Sequence, residues 1–382
     1  MKPASARGAP PPKMDFARAP VLVFWETTRA CGLSCLHCRA SAIPDPLPGE
    51  LTSEEGLRVI DQVAQFGPPL PLIVFTGGDP LRRRDLPELL AHARARGITT
   101  AVSPAVTELL TDDALRRLMD VGVASVSLSL DGACAATHDG IRRAHGTYER
   151  TVATVRSALD LGLKLQVNTA VLRPNVAELA RIFHHLREWG VPTWEVFFLV
   201  QVGRATEALD LRPDEYESVS NFLYDASRYG LVVRAVEAPF VRRVLRQRET
   251  SAYWDAPLYR TLSSELVALD GPARGPSTLG RRGTLDGDGI LFVAHDGTVQ
   301  PGGLLPISLG NVRTDSLLEI YRGSDMLQRI RARSLTGICG TSCPDRQACG
   351  GSRARAYAQT FDPLASDPAC LLVHRGRPDP AA

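Results

Sequence analysis

Seven of the eight cysteines fall into two groups. Cys31-Gly-Leu-Ser-Cys35-Leu-His-Cys38 puts three thiols within eight residues, and Cys339, Cys343, Cys349 and Cys370 put four near the other end. Cys134 stands alone. An even cysteine count suggests a disulfide framework in a small exported chain. This chain has 382 residues, and its opening MKPASARGAPPPKMDFARAP lacks the apolar core of an export signal. Thiolates are soft ligands that select zinc, copper(I) or iron–sulfur clusters. Ligation in a reducing cytoplasm is therefore the reading the two groups favour.

A triad and a quartet imply different chemistry. Cluster irons normally take four cysteines, so a triad with no fourth nearby leaves one iron open to another ligand. Zinc with a remote fourth ligand is the competing reading. The quartet completes a Cys₄ site by itself, for a structural zinc or a closed [4Fe–4S] cluster. Gly350 and Gly351 would let the backbone turn closely around that metal. Free cysteines such as Cys134 are mostly buried hydrophobes; hydrogen donation to a substrate radical is the chemical alternative.

The elements that must position these groups alternate. Val21–Trp25, Pro71–Phe75, Ile98–Val102, Ala124–Leu130, Lys164–Leu172 and Trp194–Val200 read as strands. Helical patterns follow them at Ser53–Phe66 with Ser53 as N-cap, Leu86–Arg96, Thr111–Val121, Tyr148–Leu161, Val176–Trp189 and Pro213–Tyr229. Six strand–helix units in succession imply an α/β fold of parallel strands with right-handed crossovers. The pattern alone fits a full or partial β/α barrel, or an open doubly wound sheet. In each, chemistry gathers at the C-terminal strand ends.

Residues 1–19 read as a disordered leader, 20–236 as the core and 237–289 as a linker or bridging region, with a Gly-, Pro- and Arg-rich loop at 271–289. Residues 290–382 form a second unit. It has a hairpin at Ile290–Val299, a helix around Ser316–Ala332, the quartet, and an unstructured tail after Cys370. Net charge is +2 with Lys and Arg scattered, which suggests no nucleic-acid partner. No apolar run approaches the roughly 20 residues that cross a bilayer, so no membrane partner is expected.

The CxxxCxxC loop after the first strand resembles the signature of the radical S-adenosylmethionine (SAM) superfamily, and the likeness extends over about residues 20–370. The resemblance implies a partial (β/α)₆ TIM-like barrel with a small C-terminal iron–sulfur cluster domain. It implies that Cys31, Cys35 and Cys38 hold a [4Fe–4S] cluster whose open iron chelates SAM, and that reductive cleavage of SAM yields a deoxyadenosyl radical. His37 matches the position that packs near the adenine. Gly77, Gly78 and Asp79 resemble the motif that contacts the SAM amino group, with the shorter Asp79 as its acid. Ser129 and Asp131 fall where the family holds the ribose and carboxylate of SAM. Asn168 and Thr169 match polar positions facing SAM, and Gly203-Arg-Ala205 resembles the stretch bordering the adenine.

The quartet resembles the C-terminal SPASM or twitch extension, which carries auxiliary clusters. Cys349-Gly-Gly-Ser-Arg-Ala-Arg-Ala-Tyr-Ala358, Asp367-Pro-Ala-Cys370 and Leu309-Gly-Asn-Val-Arg313 are close to the haem-synthase and haem d1 maturase-like subgroup. Many such domains have a cysteine after Pro301; here it is Gly302, so one auxiliary [4Fe–4S] cluster is expected. The gap Cys339-x₃-Cys343 is longer than the commoner one. The resemblance implies hydrogen abstraction from a small molecule. Decarboxylation of a carboxylated metabolite is the favoured reaction, the substrate being a sugar acid of a nucleoside antibiotic or a tetrapyrrole propionate. Arg142, Arg143 and Arg204 lie near strand ends where they could bind a carboxylate. Modification of a ribosomal peptide, epimerisation or dehydration of a sugar, and a non-enzymatic two-zinc interaction protein remain open. A flavodoxin or ferredoxin is the expected reductant, and the cytoplasm the expected location.

Overall fold

A computed structural model describes residues 15–250, 254–280 and 283–375. Most of the expected leader, 1–14, and the tail beyond 375 lie outside the described residues.

The strands are β1 (Leu22–Glu26), β2 (Leu72–Thr76), β3 (Thr100–Val102), β4 (Ser125–Ser129), β5 (Leu165–Val171), β6 (Thr193–Phe198), β7 (Val232–Val236), β8 (Leu285–Asp286), β9 (Gly289–Val293), β10 (Thr298–Gln300) and β11 (Gly310–Asn311). They form one sheet in the order β11-β10-β9-β1-β2-β3-β4-β5-β6-β7, with β8 beside β9. β1 to β7 are parallel throughout. The two ends of the sheet do not pair, so it is an open, partial barrel.

The parallel core rests on strict alternation. Along β5, Leu165, Val167, Thr169 and Val171 are buried against the helices, while Gln166, Asn168 and Ala170 face the other side and are half-buried. β4 repeats the pattern, with Val126 and Leu128 toward the helices and Ser125, Ser127 and Ser129 on the concave face. The concave face thus carries serine and amide side chains, partnered with one another where they are half-buried.

Several expectations need correction. A seventh strand, Val232–Val236, extends the sheet, and its exposed Val232 and Arg234 hid its alternation. The bridging region is not mainly linker: helices Val241–Glu249 and Pro257–Asp270 occupy it. Thr52, not Ser53, caps the first helix, through a reciprocal capping box with Glu55. The helix expected over Ser316–Ala332 breaks in two, because Ser324 takes an extended backbone and caps Asp325–Arg331. The tail continues past Cys370 as the helix Leu371–Arg375. A further helix, Ala135–Arg142, follows β4.

The hairpin β9–β10 exists, but β9 also pairs in parallel with β1, with Leu22 opposite Ile290 and Trp25 opposite Val293. The C-terminal segment is therefore stitched into the core sheet. No described helix is long and apolar enough to cross a membrane.

Candidate active site and cluster sites

The triad lies in the loop leaving β1. Cys31 N donates to Ile43 O at 2.8 Å, and Leu36 N donates to Ile141 O at 2.9 Å, so the loop is pinned at both flanks. Cys31 and Cys35 are buried and Cys38 is half-buried. Each sulfur has a nitrogen donor: Leu33 N to Cys31 Sγ at 3.3 Å, Ala42 N to Cys38 Sγ at 3.4 Å, and Arg142 Nη1 to Cys35 Sγ at 3.7 Å. Donors aimed at sulfur favour thiolates. Burial holds the free Cys31 thiol up at about 11, so metal loading must displace its proton.

Glycine allows the strand ends to approach this loop. A Cβ on Gly78 would stand 2.3 Å from Ala30 O, and one on Gly77, at φ +147°, would stand 2.4 Å from Thr28 O. A Cβ on Gly203 would meet both Cys38 O and Arg39 O at 2.3 Å. Asp79 is fully buried, and its carboxylate accepts from Leu81 N (3.1 Å), Ala105 N (3.3 Å) and Thr107 Oγ1 (3.0 Å). That carboxylate holds the β2 and β3 loops together.

Asp131 is the hub of the site. Its Oδ1 accepts from Ala170 N at 2.8 Å, and its Oδ2 pairs with Arg142 Nη2 at 2.6 Å, with His37 Nε2 at 3.6 Å. Burial pushes its acidity down, but Arg142 and His37 outweigh burial and hold the carboxyl below its usual range. Burial lowers His37 to about 4, so the imidazole is neutral at pH 7. Arg204 binds Cys35 O at 2.9 Å and Ala42 O at 2.8 Å. Arg142 and Arg204, expected as carboxylate ligands, are thus engaged on the cluster loop, and Arg143 is exposed. Three buried polar atoms here lack a hydrogen-bond partner among the described residues: His37 Nδ1, Arg142 Nε and Arg204 Nη2. Polar atoms orphaned beside three sulfurs fit a site shaped for a polar ligand.

Asn168 Oδ1 accepts from Gln166 Nε2, which also reaches Glu195 Oε2, both at 2.8 Å. Ser129 is half-buried on the same concave face. Thr169 points the other way: its hydroxyl donates to Leu130 O and accepts from Trp194 Nε1, so it does not share the face of Asn168. Cys134 is exposed, 3.6 Å from Thr137 Oγ1, at the start of the helix whose far end carries Arg142. Helical rise puts it about 12 Å along the axis from Arg142.

A cavity of about 280 Å³ opens beside the triad, between the loop at Arg39–Ser41 and the β9–β10 hairpin. Glu26, Arg29, Arg39, Phe292, His295 and Gln300 are among its lining residues. Sequence reasoning missed these groups, because Glu26 and His295 meet across 269 positions.

The quartet lines one pocket with Arg243, Asp345, Gly350 and Gly351. Cys339, Cys349 and Cys370 are buried and Cys343 is half-buried. Gly350 and Gly351 both have positive φ, and Gly351 N donates to Cys349 Sγ at 3.4 Å. Asp367 accepts from Ser352 N and Ala369 N and pairs with Arg355 at 3.1 Å. Arg355 then reaches Glu237 O (2.7 Å) and Leu199 O (3.2 Å), tying the quartet to the core. A Cβ on Gly302 would fall 1.7 Å from Asp286 Oδ1, so a side chain there would require the Asp286 carboxylate to move. Among the described residues no three His, Cys, Asp or Glu side chains gather closely enough for a single metal ion. A four-iron cluster asks for one sulfur per iron instead.

Two family models match this chain: "Radical SAM superfamily" over residues 25–186 and "Iron-sulfur cluster-binding domain" (SPASM) over 286–344. It is 37% identical to an AdoMet-dependent heme synthase of Nitratidesulfovibrio vulgaris, over 93% of both chains. It is 29% identical to a pre-heme d1 synthase of Dinoroseobacter shibae, over 97% of this chain and 89% of that one. Its fold resembles Streptococcus suis SuiB bound to S-adenosylmethionine, with a TM-score of 0.62 at 13% identity, covering 93% of this chain and 78% of the other. With sulfurs, donors and strand-end glycines arranged as described, the chain belongs to the radical SAM superfamily, and its cofactors are S-adenosylmethionine and two [4Fe–4S] clusters.

Proposed function

We propose that Cys31, Cys35 and Cys38 hold the SAM-binding cluster, that Cys339, Cys343, Cys349 and Cys370 hold one auxiliary cluster, and that the enzyme decarboxylates a carboxylated small molecule, foremost a tetrapyrrole propionate. The observation that carries the first part is the set of nitrogen donors on all three triad sulfurs beside orphaned polar atoms. The substrate class draws on the haem-related relatives and on a polar cavity adjoining the triad loop.

When bound, the cluster and SAM supply one-electron cleavage of a C–S bond and hydrogen abstraction from unactivated carbon. The chain's residues prepare that chemistry. Arg142 sets positive charge against Cys35, and Asp131 anchors Arg142. His37, Gly77, Gly78, Asp79, Ser129, Asp131, Asn168 and Gly203 shape the SAM site. For Asp79 the support is indirect, through the loops its carboxylate joins. The reductant is a flavodoxin or ferredoxin of a reducing cytoplasm.

The test uses anaerobically reconstituted protein with dithionite and SAM, reading deoxyadenosine by mass spectrometry and metal per chain. Deoxyadenosine with about eight irons, as two four-iron clusters require, supports the assignment. Zinc with no deoxyadenosine overturns it.

A further inference from the structure

The cavity beside the triad loop contains a histidine with one nitrogen committed and the other open. His295 Nδ1 lies 2.7 Å from Glu26 Oε1, and Arg39 Nη2 lies 2.7 Å from Glu26 Oε2. Burial opposes ionisation of Glu26, yet Arg39 and His295 overcome it and hold the carboxyl at about 2. Glu26 is therefore an acceptor only, and the shared proton must sit on His295 Nδ1. That fixes the tautomer. His295 Nε2 has no protein partner among the described residues, and its ring lines the cavity.

Two guanidinium groups share this wall. Arg39 lies over the Phe292 ring at 4.7 Å, which fixes its plane. Arg29 donates through Nη2 to Ser41 O, while its buried Nε has no partner. Asp296 is the other acid of the lining, and its Oδ1 is engaged by Thr298 N at 3.0 Å. The groups facing His295 are thus Glu26 from β1, Arg29 and Arg39 from the cluster loop, and Asp296 from the hairpin.

We infer that this cavity holds the substrate's carboxylate against Arg29, Arg39 and His295, and that His295 takes up one proton from solvent at Nε2 as that carboxylate binds. The inference rests on the proposed carboxylated substrate. An imidazole placed between two carboxylates, Glu26 and the ligand's, is stabilised as the cation. One solvent proton enters Nε2, and no bond to carbon changes. A cavity of this size accepts a small sugar acid whole or one propionate-bearing edge of a tetrapyrrole. Both present the same carboxylate.

The experiment measures binding to the reconstituted, SAM-loaded enzyme between pH 6 and 9. Iron coproporphyrin III, its tetramethyl ester and glucuronate are the probes, and proton uptake is read by calorimetry in buffers of different ionisation heat. The expected result is tight binding of one free acid, no comparable binding of the ester, and one proton taken up. On the alkaline side Kd should weaken about tenfold per pH unit, the slope of one linked proton. His295→Gln keeps a neutral donor near Nε2 but cannot be protonated, so it should bind more weakly and lose both slope and uptake. His295→Asn keeps the Glu26 contact without the reach and should behave alike; Arg29→Gln should weaken binding at least tenfold with the slope retained. Porphyrin binding identifies a tetrapyrrole source, and glucuronate binding a sugar acid. Wild-type binding that His295→Gln leaves unchanged in slope and uptake overturns this inference and spares the substrate class. Failure of the wild type to bind either acid overturns the substrate class as well.

Discussion

The two cysteine sites are built to opposite ends. The triad sits in a loop whose neighbours leave polar atoms unpaired, among them His37 Nδ1 and Arg204 Nη2. The quartet sits under a turn of two positive-φ glycines and is braced by a buried Arg355–Asp367 pair. Both contain an aspartate–arginine pair, but the pairs do different jobs. Asp131 turns Arg142 toward a sulfur; Asp367 turns Arg355 toward backbone carbonyls of the core. Unpaired nitrogens also lie near the quartet, at Arg243 and Arg353, so the sharper contrast is in sulfur number: under the proposed assignment, three thiols leave one iron of a four-iron cluster open and four close it.

The strongest way to break the comparison is to remove sulfurs. Cys31→Ala, Cys35→Ala or Cys38→Ala should abolish deoxyadenosine formation; persistence in the triple variant would defeat the assignment. Cys339→Ala, Cys343→Ala, Cys349→Ala or Cys370→Ala should remove about half the iron. SAM cleavage without substrate should continue in these variants. If the quartet variants lose SAM cleavage as completely as the triad variants, the sites are not independent.

Two milder changes sharpen the contrast. Arg355→Gln strands Asp367 without its buried cation, which costs about 3–5 kcal/mol for a pair broken on one side. Chemical denaturation should find that loss, and iron should leave the quartet first. Gly203→Ala pushes a methyl group into the carbonyls of Cys38 and Arg39. Overpacking of that kind costs about 1–3 kcal/mol, and weakened SAM binding, rather than global unfolding, should be its main signature.

The parts legible in the sequence were local. Cysteine spacing, glycine pairs and strand periodicity all lie within short windows, and they located both sulfur groups and six of the strands. Strand β7 was missed because its exposed edge breaks the alternation on which periodicity depends. Thr169 was placed beside Asn168 on the SAM face, although neighbours on a strand must point apart. Arg142 and Arg204 looked free for a substrate because a sequence does not show that their partners are Asp131, Cys35 and Ala42. The Glu26–His295 contact joins the first strand to the last hairpin, and no local signal announces it.

The pairing of β1 with β9 has a consequence for how the protein is made. Leu22 waits for Ile290, a separation of nearly 270 positions, before its outer edge is hydrogen-bonded. At a synthesis rate of about 5–20 residues per second, that edge stays open for roughly 15–50 seconds on the ribosome. During that interval the nascent chain presents an apolar strand edge of the sort that recruits other strands, and the triad loop directly after it is uncovered.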